Sequence, residues 1–129
     1  KANLIALSAS ATPKVMEDIK NILDIEPVKI YKQSFYRDNL NIKLIQTDDI
    51  LERLKNILTK INEPLIIYTN TRKSCIDISN FLNHHQFRST FYHGGLTSDE
   101  KTNALNDWMQ QTSPIMVATS AFGMGIDKT

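Results

Sequence analysis

Three short segments gather the hydroxyl, amide, guanidinium and imidazole groups best suited to chemistry: Thr69-Asn70-Thr71-Arg72, His93-Gly94-Gly95-Leu96 and Thr119-Ser120. The last runs on through Gly123-Met124-Gly125-Ile126-Asp127-Lys128. A fourth, Ser8-Ala9-Ser10-Ala11, sets two hydroxyls among small residues. None of them pairs a nucleophile with a base. His84 and His85 are adjacent, point different ways on a helix and have no Cys or carboxylate cluster beside them, so they make no metal site. They read as a solvated helix end, and Cys75 reads as a small core residue. What remains is the chemistry of holding anions, phosphates above all. Backbone N–H groups at a helix start favour an anion, and an arginine adds a forked donor. The same residues also read without a ligand: Thr71 as a helix cap with Arg72 in solvent, His93-Gly94-Gly95 as a turn. Gly123-x-Gly125 lacks the third glycine of a dinucleotide fingerprint. The residues alone leave both readings open.

These segments need elements to position them. Leu4–Leu7 reads as a strand, and Thr12 caps a following helix whose first residue is Pro13, where a missing N–H costs nothing. Val15, Ile19, Ile22 and Leu23 fall on one face of that helix. Ile42–Ile45 reads as a second strand, followed by a helix capped by Thr47 or Asp48 with a stripe of Ile50, Leu51, Leu54, Ile57, Leu58 and Ile61. Leu65–Tyr68 is a continuous apolar run, expected in a parallel sheet covered on both faces. A helix over about 72–84 should bury Ile76, Ile78, Phe81 and Leu82, and a strand follows near Thr90–Tyr92. Thr97 and Glu100 have capping-box spacing ahead of a helix with Ala104, Leu105, Trp108 and Met109 inward. Ile115–Ala118 is the last strand. Strand–helix alternation of this kind predicts an α/β fold with a mostly parallel sheet, whose ligands sit at the carboxyl ends of the strands. The four segments above are the loops at those ends.

Composition adds bounds. The 129 residues are 41% hydrophobic and 22% charged, with 15 Lys and Arg against 14 Asp and Glu, a net charge of +1. That balance excludes a disordered acidic or basic tail, and gives no electrostatic argument for or against nucleic acid. No apolar run reaches the roughly 18 residues that span a bilayer. A single cysteine rules out an internal disulfide. The expectation is a soluble, globular, intracellular chain. Both ends read as cut: Ala2–Leu7 begins directly as a strand after Lys1, and Gly125–Thr129 stops in a turn signal.

The stretch Val117-Ala118-Thr119-Ser120-Ala121-Phe122-Gly123-Met124-Gly125-Ile126-Asp127-Lys128 closely resembles motif V of RecQ-type superfamily 2 DNA helicases. Leu7-Ser8-Ala9-Ser10-Ala11 resembles the family's motif III, with Ser-Ala-Ser where members usually have Thr-Ala-Thr. Phe35-Tyr36-Arg37-Asp38-Asn39-Leu40 is similar to the Phe-x-Arg-x-Asn-Leu segment joining the two RecA-like domains. Ile66–Arg72 resembles motif IV. Tyr92-His93-Gly94-Gly95-Leu96 resembles Tyr-His-Ala-Gly-Leu, with Gly94 in place of Ala, a change expected to loosen the turn slightly. The Phe-Gly-Met-Gly-Ile core is the most specific of these, since a DEAD-box RNA helicase usually has Ala-Arg-Gly-Leu/Ile-Asp there.

The resemblance implies a RecA-like three-layer domain. Residues 1–26 would end the first RecA-like domain, 27–41 would connect, and 42–129 would form the second domain short of its arginine-finger motif. It implies part of an ATP-dependent DNA helicase motor that uses ATP and Mg2+ in the full-length protein, acts on single-stranded and partly duplex DNA, and serves repair or recombination. Gly125 and Asp127 are implied on the nucleotide side, with Lys128 near either ligand. Asn70, Thr71, Arg72, His93, Gly94, Gly95 and Thr119 are implied along the DNA, and Ser8 and Ser10 in coupling hydrolysis to domain movement. No phosphate loop, Asp-Glu-x-His box or Gln-x-x-Gly-Arg-x-Gly-Arg segment is present. The 129 residues alone are therefore expected to lack catalytic activity and to bind no cofactor. The protein is expected to be a monomer, away from membranes, in the cytoplasm or, in a eukaryote, the nucleus. The alternatives are a DEAD-box-like RNA helicase domain and a non-enzymatic α/β nucleotide-binding module.

Overall fold

The computed structural model describes residues 4–25, 27–34, 36–123 and 126. The chain divides into two compact units, residues 1–43 and 44–129.

The first unit holds one helix, α1 (Pro13–Leu23). Thr12 caps it, its hydroxyl accepting from the Val15 N–H at 3.3 Å, and Pro13 opens it. Asp24 closes it in the left-handed region (φ 47°), its N–H returning to the Lys20 carbonyl. No residue of α1 is buried. The expected strand at Leu4–Leu7 forms no ladder among the described residues, and its apolar side chains are exposed. Ile42–Ile45, spanning the boundary between units, is likewise not a strand, with Ile42 and Leu44 exposed. A four-residue apolar run becomes a strand only beside a partner that takes its backbone hydrogen bonds, and neither run has one among the described residues.

The second unit carries α2 (Ile50–Leu58), β1 (Leu65–Tyr68), α3 (Arg72–His84), β2 (Ser89–Tyr92), α4 (Ser98–Met109) and β3 (Ile115–Ala118). Asp49, not Thr47 or Asp48, caps α2: its carboxylate accepts from the Glu52 N–H at 2.9 Å, while the Thr47 hydroxyl accepts from the Asp49 N–H one step earlier. The three strands form a parallel sheet in the order β1-β3-β2, with Leu65 and Ser89 both opposite Ile115.

Alternation along β3 makes the three layers. Ile115 and Val117 pack with Leu58, Cys75 and Leu82 from α2 and α3; Met116 and Ala118 pack with Ala104 and Trp108 of α4 and with Phe122. All four β3 residues are buried, so β3, and not β1, is the strand covered on both faces. β1 has the same apolar composition but stands at the edge of the described sheet, where Ile66 and Tyr68 are exposed. An apolar run shows that a strand can be buried, and topology decides which one is. In α3 the fully buried residues are Cys75, Ser79 and Leu82, with Ile76, Ile78 and Phe81 half-buried beside them. Met109, expected inward, is exposed at the last position of α4. Inside the α3 layer the Ser79 and Ser89 hydroxyls meet at 3.0 Å and Asn83 brackets Ser89 with two hydrogen bonds, so the buried polar groups are satisfied.

Candidate nucleic-acid interface

Because the strands are parallel, the loops leaving β1, β2 and β3 all emerge at one edge of the sheet. The ladder extends one residue past the strands and ties these loops together: the Thr69 N–H donates to the Ala118 carbonyl at 2.8 Å, and the Thr119 N–H to the Tyr92 carbonyl at 3.1 Å. The Thr69 hydroxyl lies within reach of the Thr71 and Ala118 carbonyls, at 3.2 and 3.4 Å.

After β1, Asn70 is exposed and Thr71 caps α3. The Thr71 hydroxyl accepts from the Ser74 N–H at 3.0 Å and donates to the Ser74 hydroxyl at 2.8 Å. The cap takes the Ser74 N–H, and the Arg72 and Lys73 N–H groups at the head of the helix have no partner within the helix. The first turn of α3 contains no acid.

After β2, the Leu96 N–H donates to the His93 carbonyl at 3.2 Å and closes a turn with Gly94 and Gly95 at its centre. The imidazole of His93 is 7% exposed and stacks on Phe91 with centroids 5.7 Å apart. Its Nδ1 receives the Gly95 N–H at 3.2 Å, which puts the ring proton on Nε2. That Nε2 is buried with no partner among the described residues. The Arg72 guanidinium reaches this turn: a Cβ on Gly95 would stand 3.0 Å from its Nη1, and one on Gly94 would stand 3.9 Å from its Nη2 and 3.9 Å from the Ala121 Cβ. Arg72, Gly94, Gly95 and Ala121 thus meet from three separate loops.

After β3, Thr119 and Ser120 do not repeat the helix-start arrangement. The Phe122 N–H donates to the Thr119 carbonyl at 3.0 Å and makes a turn instead. Tyr68, which the sequence did not single out, fastens this turn by donating its hydroxyl to the Phe122 carbonyl at 3.2 Å. Gly123 follows at φ 114°, where a Cβ would also lie 2.6 Å from the Tyr68 hydroxyl. An aromatic with a polar tip at the carboxyl end of a strand was the available signal.

Behind the loops, Cys75 is fully buried, its thiol donating to the Val117 carbonyl at 3.1 Å with the Tyr92 carbonyl at 3.7 Å. Burial pushes its pKa up, against smaller lowering contributions from hydrogen bonds to Tyr92 and Thr69, so it stays a thiol. His84 and His85 are exposed at the end of α3. No group of three potential metal ligands occurs among the described residues.

The structure therefore brings together Asn70, Thr71, Arg72, His93, Gly94, Gly95 and Thr119. Ser8 and Ser10 belong to the other unit, where the Ser10 N–H donates to the Ser8 hydroxyl at 3.3 Å. Gly125, Asp127 and Lys128 lie outside the described residues.

Residues 49–129 match the family model of the helicase conserved C-terminal domain. The ATP-dependent DNA helicase RecQ of Bacillus subtilis is 38% identical over 100% of this chain and 22% of its own length. The ATP-dependent helicase wrn-1 of Caenorhabditis elegans is 37% identical over 97% of this chain and 12% of its own. The chain thus spans about a fifth or less of these relatives. Among solved structures, the Pyrococcus furiosus Hef helicase domain superposes with a TM-score of 0.54 at 24% identity, covering 60% of this chain and 18% of that one. Mycobacterium smegmatis helicase Lhr, solved with ssDNA and AMP-PNP, gives 0.54 at 19% identity over 64% of this chain and 13% of its own. Saccharomyces cerevisiae Dbp5 gives 0.57 at 19% identity over 93% and 31%. These superpositions carry the fold, a RecA-like α/β helicase domain. With a family match over most of its residues and RecQ relatives aligned from end to end, the chain belongs to the helicase conserved C-terminal domain family and is RecQ-like along its whole length.

Proposed function

We propose that this chain is part of the motor of a RecQ-type ATP-dependent DNA helicase, and that the loop edge of its sheet holds a single strand by its phosphates. The observation that carries the reading is the convergence of Arg72 with the glycine turn at the acid-free head of α3, on a RecQ-like domain. A translocating motor must hold the backbone without reading bases, so backbone N–H groups, short amides and one forked cation are suitable tools. The contact is weak enough to break and re-form, because a single guanidinium and a helix start give little of the salt-sensitive grip that a basic groove would. Arg72 offers paired donors to a phosphate.

In this reading residues 1–26 end one RecA-like domain, 27–41 connect, and 42–129 belong to the second. Ser8 and Ser10 act in coupling, and Gly125 and Asp127 face the nucleotide, with Asp127 accepting from a ribose hydroxyl. ATP supplies the driving hydrolysis, with Mg2+ neutralising phosphate charge. The protein works as a monomer on single-stranded and partly duplex DNA, in the cytoplasm or nucleus. RecQ-type relatives at 37 and 38% identity favour this over an RNA-directed DEAD-box reading.

ATP hydrolysis by the whole protein, measured with and without single-stranded DNA, tests the division of roles. Asp127→Ala should lower hydrolysis under both conditions, and Thr119→Ala should lower chiefly the DNA-stimulated part. Equal losses of both in each variant would overturn the assignment. The 129 residues alone should not turn over ATP above background.

A further inference from the structure

Glycine usually occupies a turn because the backbone needs positive φ. Among the described residues only Gly123 has that need. Gly95 has ordinary φ, so its backbone would accept any residue. What an added side chain would crowd is the neighbour: a Cβ would stand 3.0 Å from Arg72 Nη1, 3.3 Å from Arg72 Cζ and 3.4 Å from His93 Nδ1. One residue earlier, at Gly94, the same atom would sit at ordinary contact distance, 3.9 Å from both Arg72 Nη2 and Ala121 Cβ. Two adjacent glycines thus differ: a methyl group fits at position 94 without disturbance, while at position 95 it would require the end of Arg72 to move by a few tenths of an ångström.

We propose that Gly95 is a positioning residue for Arg72, its missing side chain forming the seat that holds the guanidinium over the turn. This rests on the reading of Arg72 as a phosphate contact. An arginine free in solvent must give up much rotamer freedom to bind, and a seat that restricts it beforehand lowers that cost. Gly95 holds the other side of the turn too, because its N–H fixes the His93 ring with the proton on Nε2. A methyl group at position 95 would leave the backbone in place and push aside the mobile end of Arg72.

The test measures single-stranded DNA affinity of the whole protein across a range of salt concentrations. Arg72→Ala should weaken binding roughly tenfold. It should also lower the slope of log affinity against log salt by about 0.7, the value of one single-strand phosphate. Gly95→Ala should reproduce both changes although it removes no charge, and the double variant should be no weaker than either single one. In a Gly94→Ala background, Arg72→Ala should keep its full effect. Additive losses, or an unchanged salt slope in Gly95→Ala, would overturn the seat while leaving the phosphate contact standing. A second readout needs no DNA: the Arg72 Nε–Hε resonance should shift more in Gly95→Ala than in Gly94→Ala. If it shifts while Arg72→Ala leaves DNA binding unchanged, the seat holds and the phosphate reading fails. If it does not shift, the seat is overturned.

Discussion

The two helices that follow the outer strands begin alike and then diverge. Thr71 and Thr97 each cap with a hydroxyl that accepts from the third residue on, at 3.0 and 3.3 Å. Beyond the cap, α4 completes itself. Glu100 reaches back to accept from the Thr97 N–H and hydroxyl, both at 2.8 Å, and Asp99 adds a second acid to the first turn. The positive end of the helix dipole is answered from within. α3 instead opens on Arg72 and Lys73 with no acid in its first turn, so cations stand where the dipole disfavours them. The α4 start is closed by its own side chains. The α3 start gives up some stability and stays positive, beside a turn whose glycines let a guanidinium approach. This contrast is what an external anion would require.

The sharpest way to break the comparison is Arg72→Glu. On the proposed reading, anisotropy of the whole protein with single-stranded DNA should show affinity falling by well over tenfold. The melting temperature should rise slightly, because an acid at the head of α3 gains a few tenths of a kcal/mol from the dipole. Opposite signs in the two measurements support the contrast, and retained affinity would destroy it.

The converse variant lies in α4. Thr97→Ala should cost about 1 kcal/mol in denaturant unfolding, as lost caps do, with DNA affinity unchanged. A parallel loss of DNA binding would mean that the two helix starts are not separate in function.

The smallest effect is a pH dependence. Hydrogen bonds from the Thr97 N–H and then its hydroxyl hold the Glu100 carboxyl below the usual carboxylate range. A pKa lowered on folding means that the folded state favours the ionised form. The stabilisation is therefore present above the ordinary carboxylate pKa and lost as pH falls through the lowered one. Glu100→Gln should flatten that acid limb of the denaturant midpoint. A slope unchanged by the substitution would show that the capping box carries none of it.

Much of the second unit was legible because its signals are local. Periodicity and caps located α3, with Thr71 before it, and α4, with the Thr97–Glu100 box, to the residue or nearly so. Leu65–Tyr68 and Ile115–Ala118 were readable as strands. Cys75 was readable as core. The apolar runs at Leu4–Leu7 and Ile42–Ile45 misled, since strand propensity without a pairing partner is not a strand.

By itself the sequence determined which residue types sit at the strand ends and which segments are helical, and its motif order pointed to RecQ-type helicases. Caps, periodicity and motifs need only neighbours along the chain. Tertiary structure decided what depends on residues far apart in sequence. It made β3 and not β1 the buried centre, because parallel order is set by which strands pair. It sent the Tyr68 hydroxyl to the Phe122 carbonyl across 54 positions. It also laid Arg72 against Gly95, which turned a residue readable as a solvated cation into the centre of a candidate phosphate contact.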